Sequence, residues 1–140
     1  MGLRVLVPMD HSPLAETALI EALETFPDAE ITVIHVVDFL EEAQAAKLLI
    51  GGEELIERAA ERTKELFERA REIAAEHGTA VETERRVGKP GREIVTYAET
   101  HNVDRIVLGS HGRGTVEKLV LGSVAERVIR ESPVPVTVVR

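Results

Sequence analysis

Two stretches of this chain carry residue types suited to holding a ligand at the backbone. The first is Gly109-Ser110-His111-Gly112-Arg113-Gly114, with nine residues separating Gly112 from Gly122-Ser123. Glycines at 109 and 112 let the backbone come close to a ligand, and a helix opening at Gly122-Ser123 offers free amides that bind phosphate, with the Ser123 hydroxyl as an added donor. The second is Pro8-Met9-Asp10, which closes an aliphatic run. A carboxylate there is badly placed for phosphates but well suited to accept hydrogen bonds from sugar hydroxyls or an adenine amine. A nucleotide, whose base and phosphates lie at opposite ends, satisfies both stretches. Glycines also serve ordinary turns, so a plain loop reading stands beside this one.

Other chemistries are excluded by what is missing. Zero cysteines remove thiol nucleophiles, disulfides, cysteine zinc sites and iron–sulfur clusters. His11, His35, His77, His101 and His111 show no i,i+4 pair and no acid pattern suited to a metal, so no metal ligands are assigned. Most of them are read as surface or strand-end residues, with His111, inside the glycine loop, the candidate for ligand contact. Ser12 reads as a helix cap, and no Gly-x-Ser-x-Gly elbow is present to make a serine a hydrolytic nucleophile. Gly88-Lys89 is followed by Pro90, so there is no P-loop. No catalytic residue is assigned.

The elements that must position these stretches follow from periodicity. Residues 1–7 and 31–37 are aliphatic enough to be strands covered on both faces. Between them, Ser12-Pro13 opens a helix whose Leu14, Ala18 and Ala22 recur at four-residue steps, and Pro27-Asp28 closes it. Residues 38–52 have poor periodicity and read as a connection, partly helical. Residues 53–77 form a long helix with Leu55, Ile56, Ala59, Leu66, Phe67, Ala70, Ile73 and Ala74 on one face, and with Glu54–Arg58 and Glu65–Arg69 pairs on the other. Gly78 caps it. The polar alternation of 81–87 marks an edge strand. A short helix with Ile94, Val95 and Ala98 precedes a strand at 104–108, and residues 116–121 suggest a turn of helix. A last helix at 123–131 carries Val124, Val128 and Ile129, before a closing strand at 133–139 whose prolines confine it to the other edge.

Strands alternating with helices over 140 residues make one domain, an α/β fold built on a doubly wound parallel sheet. The formal charge of −8, with no clustered Lys or Arg, argues against nucleic-acid binding. The acids are 21 Glu and four Asp. No apolar run is long enough to span a membrane, and the opening residues lack a basic segment followed by an apolar one, so the cytoplasm is the expected compartment.

Gly109-Ser110-His111-Gly112, nine residues, Gly122-Ser123-Val124 and then Pro133-Val134-Pro135-Val136 resemble the universal stress protein family. Val5 to Ser12 resembles the family's opening strand, His35-Val36-Val37-Asp38 its second, and Val87-Gly88-Lys89-Pro90 with Ile94 its third turn, so the likeness covers residues 3–139. The resemblance implies a five-stranded parallel sheet of order 3-2-1-4-5 and an ATP site of the family's nucleotide-binding branch. By position, it implies that Asp10 contacts ribose or adenine, that Val36 offers its backbone to adenine and that Pro8 and Met9 flank the base. Gly109 and Gly112 would form the ribose and phosphate loop, Gly122, Ser123 and Val124 the phosphate-binding amides, and His111 and Arg113 would lie beside them. It further implies Mg²⁺ or Mn²⁺ accompanying the triphosphate without a dedicated protein ligand, and a homodimer through residues 134–139. Three readings stand at this point: an ATP-binding regulatory or stress-response protein, a slow ATPase or nucleotide-transfer enzyme, and a ligand-free dimeric scaffold.

Overall fold

A computed structural model of the chain describes residues 2–45, 51–111 and 121–140. The elements run β1 (Arg4–Pro8), α1 (Pro13–Thr25), β2 (Glu30–Val37), α2 (Phe39–Ala45), α3 (Gly52–Glu76), β3 (Glu82–Val87), α4 (Pro90–Thr100), β4 (Arg105–Gly109), α5 (Ser123–Glu131) and β5 (Val136–Val139). The strands form one sheet in the order β3-β2-β1-β4-β5, and every neighbouring pair is parallel. The expected fold is thus the observed one. No helix among the described residues is long and apolar enough to cross a membrane.

The aliphatic strands are buried on both faces because each feeds two cores. Val5, Val7, Ile31, Val33 and Val107 point to one side, where Leu19 and Ala22 of α1 and Phe67, Ala70 and Ile73 of α3 cover them. Leu6, Ile34, Ile106 and Leu108 point to the other, against Ile94 and Ala98 of α4 and Val128 of α5. The polar strand β3 occupies one edge as expected, and β5 the other. On β3 the polarity is used, with Arg86 Nη1 reaching Glu84 Oε2 at 3.0 Å. β5 begins at Val136 rather than at Pro133. Pro135 has no N–H to give the ladder, and only its carbonyl joins in, accepting from Ile106 N–H at 3.0 Å.

Several local expectations change. Ser12 holds the N-cap position of α1, with Pro13 behind it, but its hydroxyl makes no cap hydrogen bond. The Oγ–H donates instead to Asp10 Oδ1. The apolar stripe of α3 starts at Ala59, since Ile56 is 56 % exposed. Twenty-five residues make a helix about 37 Å long, whereas the eight-residue β2 spans only about 26 Å, so the first turns of α3 overrun the sheet. Arg69 pairs with Glu16 of α1 at 3.2 Å and Glu72 at 3.4 Å rather than with Glu65, the interhelical reach being the shorter route for its guanidinium. Gly78 closes α3 as expected: at φ +73° its N–H bonds Ala75 O while Thr79 N–H bonds Ala74 O, the paired pattern that only a left-handed residue allows. The helical turn expected at 116–121 falls outside the described residues except for Leu121.

Leu6 is fully buried in the central strand. Leu6→Ala is expected to cost about 2–5 kcal/mol, whereas Ile56→Ala stays within about 0.5 kcal/mol. Urea unfolding midpoints at constant m-value check both.

Candidate functional site

The sheet order makes β1 and β4 neighbours, and their carboxyl ends open into one cleft. The end of β1 supplies Pro8, Met9 and Asp10, the end of β2 supplies Val36, the end of β4 supplies Gly109 and His111, and the opening of α5 supplies Gly122, Ser123 and Val124. Every expected site residue that is described therefore meets here. Gly112 and Arg113 lie outside the described residues.

Backbone groups shape the walls. Asp10 Oδ1 accepts the Ser12 N–H at 2.9 Å as well as its hydroxyl, which folds the β1–α1 turn around the carboxylate. On the other wall, buried Ser110 ties three elements together. Its N–H donates to Val139 O at the end of β5 (2.7 Å), and its carbonyl accepts Gly122 N–H at the start of α5 (2.7 Å). Gly122 is favoured by proximity and not by its dihedral angles. A Cβ there would sit 3.0 Å from His111 Cα, a tight contact that the 110–111 backbone would have to give way to by a few tenths of an ångström. Gly122 O in turn accepts Glu126 N–H at 2.9 Å, so the first turn of α5 starts against the 110–111 backbone. Its leading amides have no carbonyls within the helix to bond.

Sequence reasoning missed the acidic wall. Asp38, Glu41 and Glu42 line the cleft beyond Val36, in the segment whose periodicity was too poor to place. Asp38 at a strand end followed by Glu41-Glu42 is itself a helix-start signal: Asp38 Oδ1 accepts the amides of Leu40 (3.1 Å) and Glu41 (3.4 Å), and α2 follows. Pro90 and Ile94 of α4 also reach the cleft. Among the described residues, no group of three or more His, Asp or Glu side chains could hold a metal ion.

Two histidines are not surface residues. His35 is 7 % exposed, and its Nδ1–H donates to Met9 O at 2.8 Å, bracing the last residue before Asp10. His11 lines the cleft and meets His35 edge to face, with ring centroids 5.3 Å apart. Its Nε2 is buried with no hydrogen-bond partner among the described residues. Burial first, then the Arg62 and His35 charges, push the His11 imidazole down to about 4. Burial also lowers His35, outweighing its bond to Met9 O. Both rings are neutral at pH 7.

A profile of the universal stress protein family matches residues 1–140. Universal stress protein MJ0577 of Methanocaldococcus jannaschii is 34% identical, the alignment covering 98% of this chain and 94% of that protein. Its solved structure superposes with a TM-score of 0.82 over 99% of this chain and 96% of that one. Universal stress protein UspA from Lactobacillus plantarum superposes at 0.78, with 28% identity, over 99% and 97% of the two chains. A universal stress protein from Archaeoglobus fulgidus, solved in complex with dAMP, superposes at 0.68 with 23% identity over 99% and 98%.

The His11 shift sets a pH dependence. Its pKa is about 4 folded and about 6.5 unfolded, so below pH 6.5 the unfolded chain binds a proton that the fold refuses. The His11 contribution therefore erodes stability as pH drops from 6.5 to about 4 and is constant below. In His11→Phe this contribution vanishes. Melting temperatures at pH 7.5, 6, 5 and 4.5 should show a smaller loss across that window than the natural chain suffers.

Proposed function

The chain belongs to the universal stress protein family, and from that premise we propose that its cleft binds an adenine nucleotide, ATP accompanied by Mg²⁺ or Mn²⁺, and that occupancy serves a cytoplasmic stress response. One observation carries the reading: Asp10 on one wall faces the opening of α5 at Gly122 on the other, across the boundary between β1 and β4. The leading amides of a nine-residue helix and the positive end of its dipole suit phosphates. Asp10 suits the ribose or the adenine amine, while Pro8, Met9 and the Val36 backbone flank the base. Gly109, His111 and Ser123 complete the phosphate side, together with Gly112 and Arg113. The metal rides on the triphosphate, with no protein cluster assigned to it. A protein of the same fold solved with dAMP makes adenine the base to try first. No side chain is assigned to activate water, so the reading is of a binding protein and not of an efficient enzyme.

The edge of β5 away from β4 has no strand partner among the described residues, and Val136, Val138 and Val139 flank it half-buried. An apolar edge of this kind favours strand pairing with a second copy, so we place a homodimer interface at residues 134–139. Sedimentation at micromolar concentration should give a dimer, and a monomer would refute this.

Calorimetric titration of ATP and Mg²⁺ into nucleotide-free protein tests the site. Binding should be selective over GTP. Asp10→Asn keeps an oxygen for the Ser12 turn but loses the charge, and should weaken ATP about tenfold or more, as loss of a charged hydrogen bond does. Gly122→Val should abolish binding, because its side chain pushes α5 off the 110–111 backbone. Unchanged affinity in both variants would refute the assignment.

A further inference from the structure

Helix α2 has seven residues and no buried side chain among those described. Leu40 is 60 % exposed. With no side chain buried among its described residues, this segment gains little from the tertiary packing that stabilises most helices. Yet it forms the acidic wall of the cleft through Glu41 and Glu42.

Polar contacts tie it at its start and at its middle. At its start Asp38 caps the Leu40 and Glu41 amides through Oδ1, and its Oδ2 lies 3.5 Å from Lys89 Nζ. One turn on, Arg62 Nη1 of α3 donates to both carboxylate oxygens of Glu42, at 3.1 and 2.8 Å. The two anchors are unequal. The Lys89 side chain is 61% exposed, so water and salt screen that pair. Arg62 and Glu42 are 28% and 17% exposed, where the same Coulomb attraction is less screened.

We infer that the Glu42–Arg62 ion pair is a latch that holds α2 as a wall of the cleft and sets how long a bound nucleotide stays. The inference rests on the nucleotide reading above. Glu42 and Arg62 act as positioning residues: Arg62 keeps the turn carrying Glu41 and Glu42 beside Val36. Glu42 lines the cleft and Arg62 does not, so the pair braces this wall from outside the cleft, and entry does not require the pair to break. Losing the pair removes a wall from the bound state, and the effect falls on dissociation.

Stopped-flow displacement of an adenine nucleotide labelled on its terminal phosphate, chased with unlabelled ATP, reads this directly. Arg62→Gln and Glu42→Gln should each raise the off-rate about tenfold, with association unchanged within about twofold. The double variant should dissociate no faster than either single one, because the pair acts as a unit. Lys89→Met, at the screened anchor, should change the off-rate by less than about twofold. In ligand-free protein, hydrogen exchange of the amides of residues 40–44 should speed up in Arg62→Gln while the β1 amides stay protected. If the natural chain binds its nucleotide normally, an unchanged off-rate, additive single effects or unchanged exchange would overturn the latch alone. A natural chain that binds no adenine nucleotide overturns both readings.

Discussion

The reversal of winding between β1 and β4 is the constraint from which the remaining architecture follows. Right-handed crossovers carry the chain from β1 to β2 and β3 with α1 and α3 on one face, and then past β1 to β4 and β5 with α4 and α5 on the other. At the β1–β4 boundary the chain therefore leaves adjacent strands toward opposite faces. A crevice opens there between the turn at Asp10 and the start of α5.

The crevice is polar in a divided way. Carboxylates of Asp10, Asp38, Glu41 and Glu42 gather on the β1–β2 side, while the opening of α5, the positive end of its helix dipole, lies on the β4 side. Such a division would orient the anionic ligand proposed for it before any close contact forms, its negative end repelled from one wall and drawn to the other. Hydrogen bonding within the protein fixes both walls: Ser12 on Asp10, His35 on Met9, and Ser110 on both Val139 and Gly122. Each brace uses a buried or half-buried polar group that would otherwise be unsatisfied, so the walls cannot shift without cost. His11 Nε2 is the exception among the described residues.

What could be read in advance depended on range. Strands such as Val5–Val7 and Ile31–Val37 announce double-sided burial by being aliphatic throughout, and Gly78 announces a helix end because few other residues adopt its dihedral angle cheaply. Asp10 and Gly122 were legible as a pair because a carboxylate closing an aliphatic strand and a Gly-Ser opening a helix suit opposite ends of one nucleotide. Ser12 holds the expected N-cap position, but its hydroxyl donates to Asp10, two residues away, instead of accepting a helix amide. The wall made by Asp38, Glu41 and Glu42 was missed because α2 buries no side chain among its described residues, and its segment shows poor hydrophobic periodicity. His35 was undervalued because a lone polar residue in an aliphatic strand looks the same whether its ring meets water or a backbone carbonyl.

The sequence by itself determined the alternation of strands and helices, the polar and apolar edges of the sheet, and the backbone-type chemistry of the glycine and aspartate stretches, because these follow from local sterics and from a periodicity that each segment carries alone. Only the tertiary structure decided that Glu42 meets Arg62 twenty residues away, that Arg69 prefers Glu16 to Glu65, and that His11 sits neutral against His35. Those outcomes depend on which elements the crossovers bring within a few ångströms, and on how much water is excluded there, and neither quantity is a property of any single segment.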